Sequence, residues 1–307
     1  MSAGTSGAAE LLLFGASTPA GAAFRAQAGD RQVLVLGRHC PLDWPKERFI
    51  PCDLTSAPAH SLPQARVIVS FAPLWHLAPF LAAWLESPEH RLHAPGQGPQ
   101  TVVACSSSSV LTKRFAANAF DQALVHRLRT AEDTLATACQ EAGLACRIVR
   151  PTLIYGEAGG YGDRNLSVLL RLMRRLPVLP VPVRTGLRQP IHAAQLAGVC
   201  LRLAEHPELA ASPLDLGGDD TLPYAALLER LIETAQALDP RDRAARCRLL
   251  PVPTPLFHLL AAPLLIARPK QFEAVLRMQA NLAGFTAAHT LLGGHAQPFP
   301  LLPLARH

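Results

Sequence analysis

The segment Leu11-Leu12-Leu13-Phe14-Gly15-Ala16-Ser17-Thr18-Pro19-Ala20-Gly21 most constrains what this chain can fold into. Four large apolar residues in a row suit a strand buried on both faces. A glycine follows where the chain must reverse, and Gly21 gives the next helix a side without a Cβ that can lie close to the strand. Strand, tight turn and helix in that order are the context of a dinucleotide-binding fingerprint, whose helix N-terminus meets a pyrophosphate. The middle glycine of that fingerprint is here Thr18, which puts a Cβ where backbone often approaches phosphate. By itself a GxxxxxG after a strand is as often an ordinary turn as a nucleotide site, so the rest of the chain has to decide.

The first half alternates short runs rich in Val, Ile and Leu with helical patterns. The runs at 10–14, 32–36, 48–50, 67–70, 101–104 and 146–149 predict strands of βαβ units in a parallel sheet. Between the last two, Leu124, Leu128, Ala131, Leu135 and Ala138 repeat at helical spacing and predict a helix over 121–141. After Pro151 the texture changes. Prolines cluster at 177–190 and again at 251–255, and helices are expected over 193–205 and 223–237 with the Gly217-Gly218 turn between them. The expectation is a Rossmann-type, doubly wound parallel α/β sheet over 1–155. A smaller, partly helical substrate lobe with long connections follows over 156–307, with elements returning to the sheet.

Composition removes several classes. Of 307 residues 49% are apolar and 17% charged, which is a folded globular chain. The net charge of +6 favours anionic ligands, and its one dense group is Arg171, Arg174, Arg175, Arg184 and Arg188. No basic stripe is interleaved with aromatics, so nucleic acid is not an expected partner. Seven cysteines, odd in number and without CxxC spacing, read as reduced core residues of a cytoplasmic protein. The twelve histidines show no metal-ligand spacing, and no metal is expected. Residues 1–10 lack the basic start and apolar run of a signal peptide. The apolar stretch 255–267 contains His258 and two prolines and is too short to span a bilayer; it reads as a buried or interface helix.

Two further positions bear on a cofactor. Strand two ends Val35-Leu36-Gly37-Arg38, without the acid that bonds both ribose hydroxyls of NAD. Arg38 could instead pair with a 2′-phosphate, which favours NADP over NAD, although a loop arginine is also the commonest kind of surface residue. Asp53-Leu54 follows the third strand; Asp53 could accept from an adenine amino group or cap the turn at Thr55-Ser56.

Taken in order, these residues resemble the extended and atypical short-chain dehydrogenase/reductase superfamily, in its NAD-dependent epimerase/dehydratase branch. The sharpest match is Arg150-Pro151-Thr152-Leu153-Ile154-Tyr155-Gly156, which resembles the family's RPxxxYG segment beside the nicotinamide pocket. Residues 186–197 and Asp215-Leu216-Gly217-Gly218 resemble later family elements, so the resemblance covers nearly the whole chain. It implies Gly15, Ser17, Thr18, Gly21, Arg38, Asp53, Leu54, Arg150, Pro151 and Thr152 at the cofactor. It also implies Tyr155, Asn165 and Arg188 at a phosphorylated or nucleotide-linked substrate, and a homodimer is the family default. As an alternative, Asn165 is a good N-cap for a helix over 166–176.

The departures concern catalysis. Counting back from Glu132 by the family's YxxxKxxxE spacing puts Leu124 at the Tyr and Leu128 at the Lys. Losing that proton carrier is worth roughly a hundred- to ten-thousand-fold in rate. The serine run 106–109 keeps one catalytic hydroxyl, Ser107, and Lys113 just beyond it could donate a proton or lie solvated in a turn. Glu132 reads as structural. Three readings are open: an atypical NAD(P)-dependent oxidoreductase or epimerase on a nucleotide-sugar or related carbonyl compound; a non-catalytic NAD(P)H-binding protein, structural or redox-sensing, with a protein partner; or a fold that has lost the nucleotide.

Overall fold

A computed structural model describes residues 9–56, 62–87, 98–263 and 269–305. The segment 1–8 and the end of the 255–267 stretch lie outside the described residues. The central sheet counts eight strands. Six of them run in the order β6-β5-β4-β1-β2-β3: β1 (Ala9–Phe14), β2 (Val33–Gly37), β3 (Phe49–Pro51), β4 (Ala65–Ser70), β5 (Thr101–Cys105) and β6 (Ala145–Pro151). Every pairing among them is parallel, with Leu13 opposite Val35 and Val69, and Val103 opposite Arg147. All six coincide with expected runs to within about two residues at each end. The polypeptide reverses direction at β1, with β2 and β3 on one side and β4 to β6 on the other. That is the topological switch point beside which open parallel sheets bind ligands, at the carboxyl ends of the strands.

Alternate residues of these strands are buried toward opposite faces, as a doubly covered sheet requires. One face, with Leu12, Phe14, Leu36, Ile68, Val102 and Ile148, packs on α2 (Leu74–Glu86) and on α3 (Ala119–Glu141). From α2 it takes Leu77, Leu81 and Trp84, and from α3 Ala131, Leu135 and Cys139. Each leucine among them, taken fully from water, contributes about 1.5–3 kcal/mol. Leu11, Leu13, Val35, Val69 and Val103, pointing the other way, are equally buried. The helix α1 (Pro19–Gln27) carries proline at its first position, where no N–H is needed, and Thr18 as its cap.

The chain divides into two compact units whose segments interleave. The first holds the described residues up to Ser107 together with Arg127–Arg150 and Leu196–Leu214; the second holds Ser108–His126, Pro151–Gln195 and Asp215–His307. The helix Ala193–Glu205 has its expected bounds, and the one expected over 223–237 runs Tyr224–Leu238. The proline clusters correct an expectation. In place of long connections, Val178–Pro182 and Arg248–Val252 form a two-stranded parallel ribbon, with Pro180 opposite Leu250 and Val181 opposite Pro251. A ribbon of two strands has only edges, and an edge tolerates residues without an N–H.

Candidate functional site

The turn after β1 works only with glycine. Gly15 has φ +73°, and a Cβ there would lie 2.4 Å from the Ala72 nitrogen. A Cβ on Gly21 would lie 2.2 Å from the Gly15 carbonyl oxygen. Thr18 takes a constructive part in this turn: its hydroxyl donates to the Gly15 carbonyl at 2.8 Å and accepts from the Gly21 N–H at 3.0 Å. The threonine therefore caps α1 and closes the reversal with its side chain.

Over this turn, at the carboxyl ends of β1 to β4, lies a cavity of about 350 Å³. That volume falls in the range of small-molecule sites. Gly15, Ser17 and Thr18 form one wall, Gly37, Arg38 and His39 after β2 the next, and Cys52 to Thr55 after β3 the third. Ala72, Pro73 and His76, at the start of α2, close it. Val35, Leu36 and Leu54 give it an apolar floor.

Its electrostatics are set by three basic side chains, Arg38, His39 and His76, around one carboxylate. Asp53 accepts from the Thr55 N–H at 3.0 Å and the Thr55 hydroxyl at 2.8 Å. These hydrogen bonds, then the positive charges of Arg38 and His76, hold its pKa below the usual carboxylate value. So Asp53 does cap the Thr55 turn, and it keeps its second oxygen for the cavity. Cys52 stays a thiol, because burial and then the Asp53 charge push its pKa up. The structure thus brings Gly15, Ser17, Thr18, Arg38, Asp53 and Leu54 to one place, with Gly21 behind the turn. His39 and His76 were missed. His76 had a legible signal, standing just past the carboxyl end of β4, the edge at which such sheets bind ligands.

Arg150, Pro151 and Thr152 are engaged elsewhere. Arg150 forms a two-pronged pair with the buried Glu132, at 2.9 and 2.5 Å, and the Ser106 hydroxyl donates to the same carboxylate. This gives Glu132 the structural role read for it. The Pro151 carbonyl accepts from the Ser108 N–H, and the Thr152 hydroxyl donates to the Gln189 carbonyl.

The candidates for proton transfer and substrate are likewise occupied by their own unit. Lys113 donates to Asp121 at 2.8 Å, and Arg277 donates to the other oxygen of that carboxylate at 2.8 Å. Asp121 has no exposed side-chain surface. Burial alone would raise its pKa, but hydrogen bonds from Lys113, Asn118 and Arg277 outweigh burial and bring it to about 2. Lys113 is therefore the partner of a buried anion and does not lie solvated in its turn. Tyr155 is buried against His192 and Phe299, its hydroxyl accepts from the Leu301 N–H, and burial pushes its pKa up. It has no surface left to serve as a pocket wall.

Arg188 is also buried. Its guanidinium donates to the carbonyls of Leu187, Ala280 and Arg277 at 2.6–2.8 Å and lies over the Tyr224 ring. It closes the end of the helix Pro269–Arg277, where a cation is favourable beside the last carbonyls. Asn165 donates to the Ile154 carbonyl at 2.8 Å, while the helix Leu166–Arg175 is capped from outside by Asp163, which accepts from the N–H groups of Asn165 and Leu166. Ser107 stands half-buried directly after β5. On α3, Leu128 is buried and Leu124 half-buried. Arg127 lies over the Trp75 ring.

A glycine turn under a helix N-terminus, at the switch point of a parallel sheet, defines a Rossmann-type α/β fold. Its shape is shared with solved nucleotide-sugar epimerases and short-chain dehydrogenase/reductases. A nucleoside-diphosphate-sugar epimerase from Staphylococcus aureus matches with TM-score 0.58 at 15% identity, over 94% of this chain and 97% of that one. MoeE5 in complex with UDP-glucose and NAD matches with TM-score 0.55 at 17% identity, over 94% of both chains. A short-chain dehydrogenase/reductase superfamily protein from Agrobacterium tumefaciens with bound NAD matches at 0.56 and 12%, over 80% of this chain and 86% of that one. No protein-family profile and no curated protein matches the sequence. Among the described residues no cluster of three metal-ligating side chains occurs, and no helix is long and apolar enough to cross a membrane.

Proposed function

We propose that this chain binds NADP(H) through the adenosine half of the dinucleotide in the cavity over β1 to β4. The observation that carries this is the convergence, in one cavity of about 350 Å³, of the Gly15 turn, Arg38 and Asp53. The turn and the α1 N-terminus suit a pyrophosphate, and Arg38 suits a 2′-phosphate. Asp53 is held ionised and can accept from an adenine amino group or a ribose hydroxyl. NAD is the second choice, because no carboxylate ends β2. The nicotinamide would supply or accept hydride, and the chain's own part is to hold it.

Beyond binding, the geometry supports a dinucleotide-binding protein without the usual proton-transfer pair. Lys113 donates to Asp121, the buried Tyr155 hydroxyl accepts from the Leu301 N–H, and Leu128 is packed in the interior. The oxidoreductase or epimerase reading, with a nucleotide-sugar or related carbonyl substrate, retains Ser107 as a hydroxyl for a reacting oxygen. It is supported by what the matching folds bind, although fold alone does not carry function. A cytoplasmic location and a homodimer remain part of this proposal.

Titration of the protein with NADPH and with NADH, followed by nicotinamide fluorescence, tests the first claim. Tighter binding of NADPH is the expected outcome, and binding of neither ends the proposal. Turnover of nucleotide sugars that disappears in Ser107→Ala would overturn the binding-protein reading in favour of the enzyme.

A further inference from the structure

Two stretches of the sequence contain no acidic residue: none occurs between Asp163 and Glu205, and none between Asp242 and Glu273. They meet in the second unit, where Val178–Pro182 pairs with Arg248–Val252. The facing residues Val178 and Arg248, then Pro180 and Leu250, are all exposed, so one side of this ribbon is apolar and cationic. The helix Thr254–Ala261 comes directly after it. It buries Phe257 and Ala261, yet turns Leu256, Leu259 and Leu260 outward at 47%, 69% and 65% exposure.

A helix apolar on every side belongs in a core or in lipid; this one has half its circumference in water. The same two stretches hold ten of the seventeen large apolar side chains exposed among the described residues. They also expose Arg164, Arg171, Arg175 and Arg184 from the first stretch and Arg243, Arg246 and Arg248 from the second. Arg174, which is half-buried, is paired with Asp242.

We infer that this face of the second unit docks on an anionic membrane surface. Outward leucines at i, i+3 and i+4, in a stretch of sequence that holds arginines and no carboxylate, are the composition of a segment that lies in the interface plane. Charge complementarity selects anionic headgroups, and the leucines give the apolar part of the contact. A second copy of this chain would bring arginine against arginine. The ribbon's prolines, Pro180, Pro182 and Pro251, also blunt its edges against pairing with another strand. Each arginine near an anionic surface strengthens attachment roughly fivefold, and the leucines together contribute more than a further tenfold.

Sedimentation of the full chain with phosphatidylcholine vesicles, with and without phosphatidylglycerol, tests the inference. Binding is expected only with the anionic lipid and is expected to weaken at high salt. The double variant Leu259→Asp/Leu260→Asp should lose more than tenfold in binding, and Arg184→Glu/Arg248→Glu at least as much. Thermal melting by circular dichroism should leave both variants folded, since the changed side chains are exposed. No binding to anionic vesicles at low salt overturns the inference, and so does equal binding to neutral vesicles. A leucine variant that binds vesicles as before, or that instead turns an oligomer into a monomer in light scattering, overturns it in favour of a contact between copies.

Discussion

The cavity around the Gly15 turn and the cluster around Asp121 belong to the same resemblance, yet they hold their polar groups in opposite ways. The cavity keeps polar side chains at an open surface: Arg38 and His39 are exposed, and among the described residues Asp53 bonds its own turn. At Asp121 the carboxylate is sealed, and Lys113, Asn118 and Arg277 each donate to it. Glu132 is closed in the same way by Arg150 and Ser106. A site that receives a ligand must leave hydrogen-bonding capacity unspent, whereas a structural cluster uses it internally. By that measure the cavity over the Gly15 turn leaves capacity for a ligand and the Asp121 cluster does not.

Five substitutions test this contrast. The largest effect is expected at the turn. Gly15→Ala or Gly21→Ala drives a Cβ into backbone and should destabilise by about 3 kcal/mol or more, read by urea denaturation, with loss of NADPH binding. Either variant melting like the wild type would mean that the turn is not rigid. Next, Leu128→Lys places an ammonium in a buried site and should cost about 3 kcal/mol without creating turnover. A gain of activity would show that the helix still lines a working site.

Asp121→Asn should cost about 2 kcal/mol at neutral pH. The folded pKa of about 2 lies below the usual value of 3.8, so this stabilisation is complete above pH ~4 and is lost as pH falls toward 2. The wild type should therefore lose stability across that window, and the asparagine variant should lose less. Parallel pH profiles would remove Asp121 from the account. Smallest in stability, and most informative for binding, is Arg38→Ala. It should leave the melting temperature unchanged and weaken NADPH binding about 10- to 100-fold, with little effect on NADH. Equal weakening of both would assign Arg38 to the pyrophosphate instead.

Much of the architecture was legible. The runs of Val, Ile and Leu marked β1 to β6 because strands buried on both faces admit little else. The 3.6-residue repeat of Leu124, Leu128, Ala131, Leu135 and Ala138 marked α3. The helix α2 was missed: it starts after Pro73 and contains Pro79, so its interior looks like a breaker. The ribbon was missed because proline-rich segments read as connections, and pairing between residues 180 and 250 leaves no local trace. Of the candidate site, the glycine turn, Arg38 and Asp53 were legible because their roles depend on the ends of neighbouring strands.

The parallel sheet and the reversal at Gly15 follow from the sequence alone. These come from local constraints, namely hydrophobic period, φ preference and the absence of a Cβ. Only the tertiary structure decided what Lys113, Tyr155 and Arg188 do. Each is bound by a residue far along the chain: Lys113 shares Asp121 with Arg277, Tyr155 meets Leu301, and Arg188 meets Ala280. A side chain's identity fixes which hydrogen bonds it can make, but burial and distant partners decide which of them remain for a ligand.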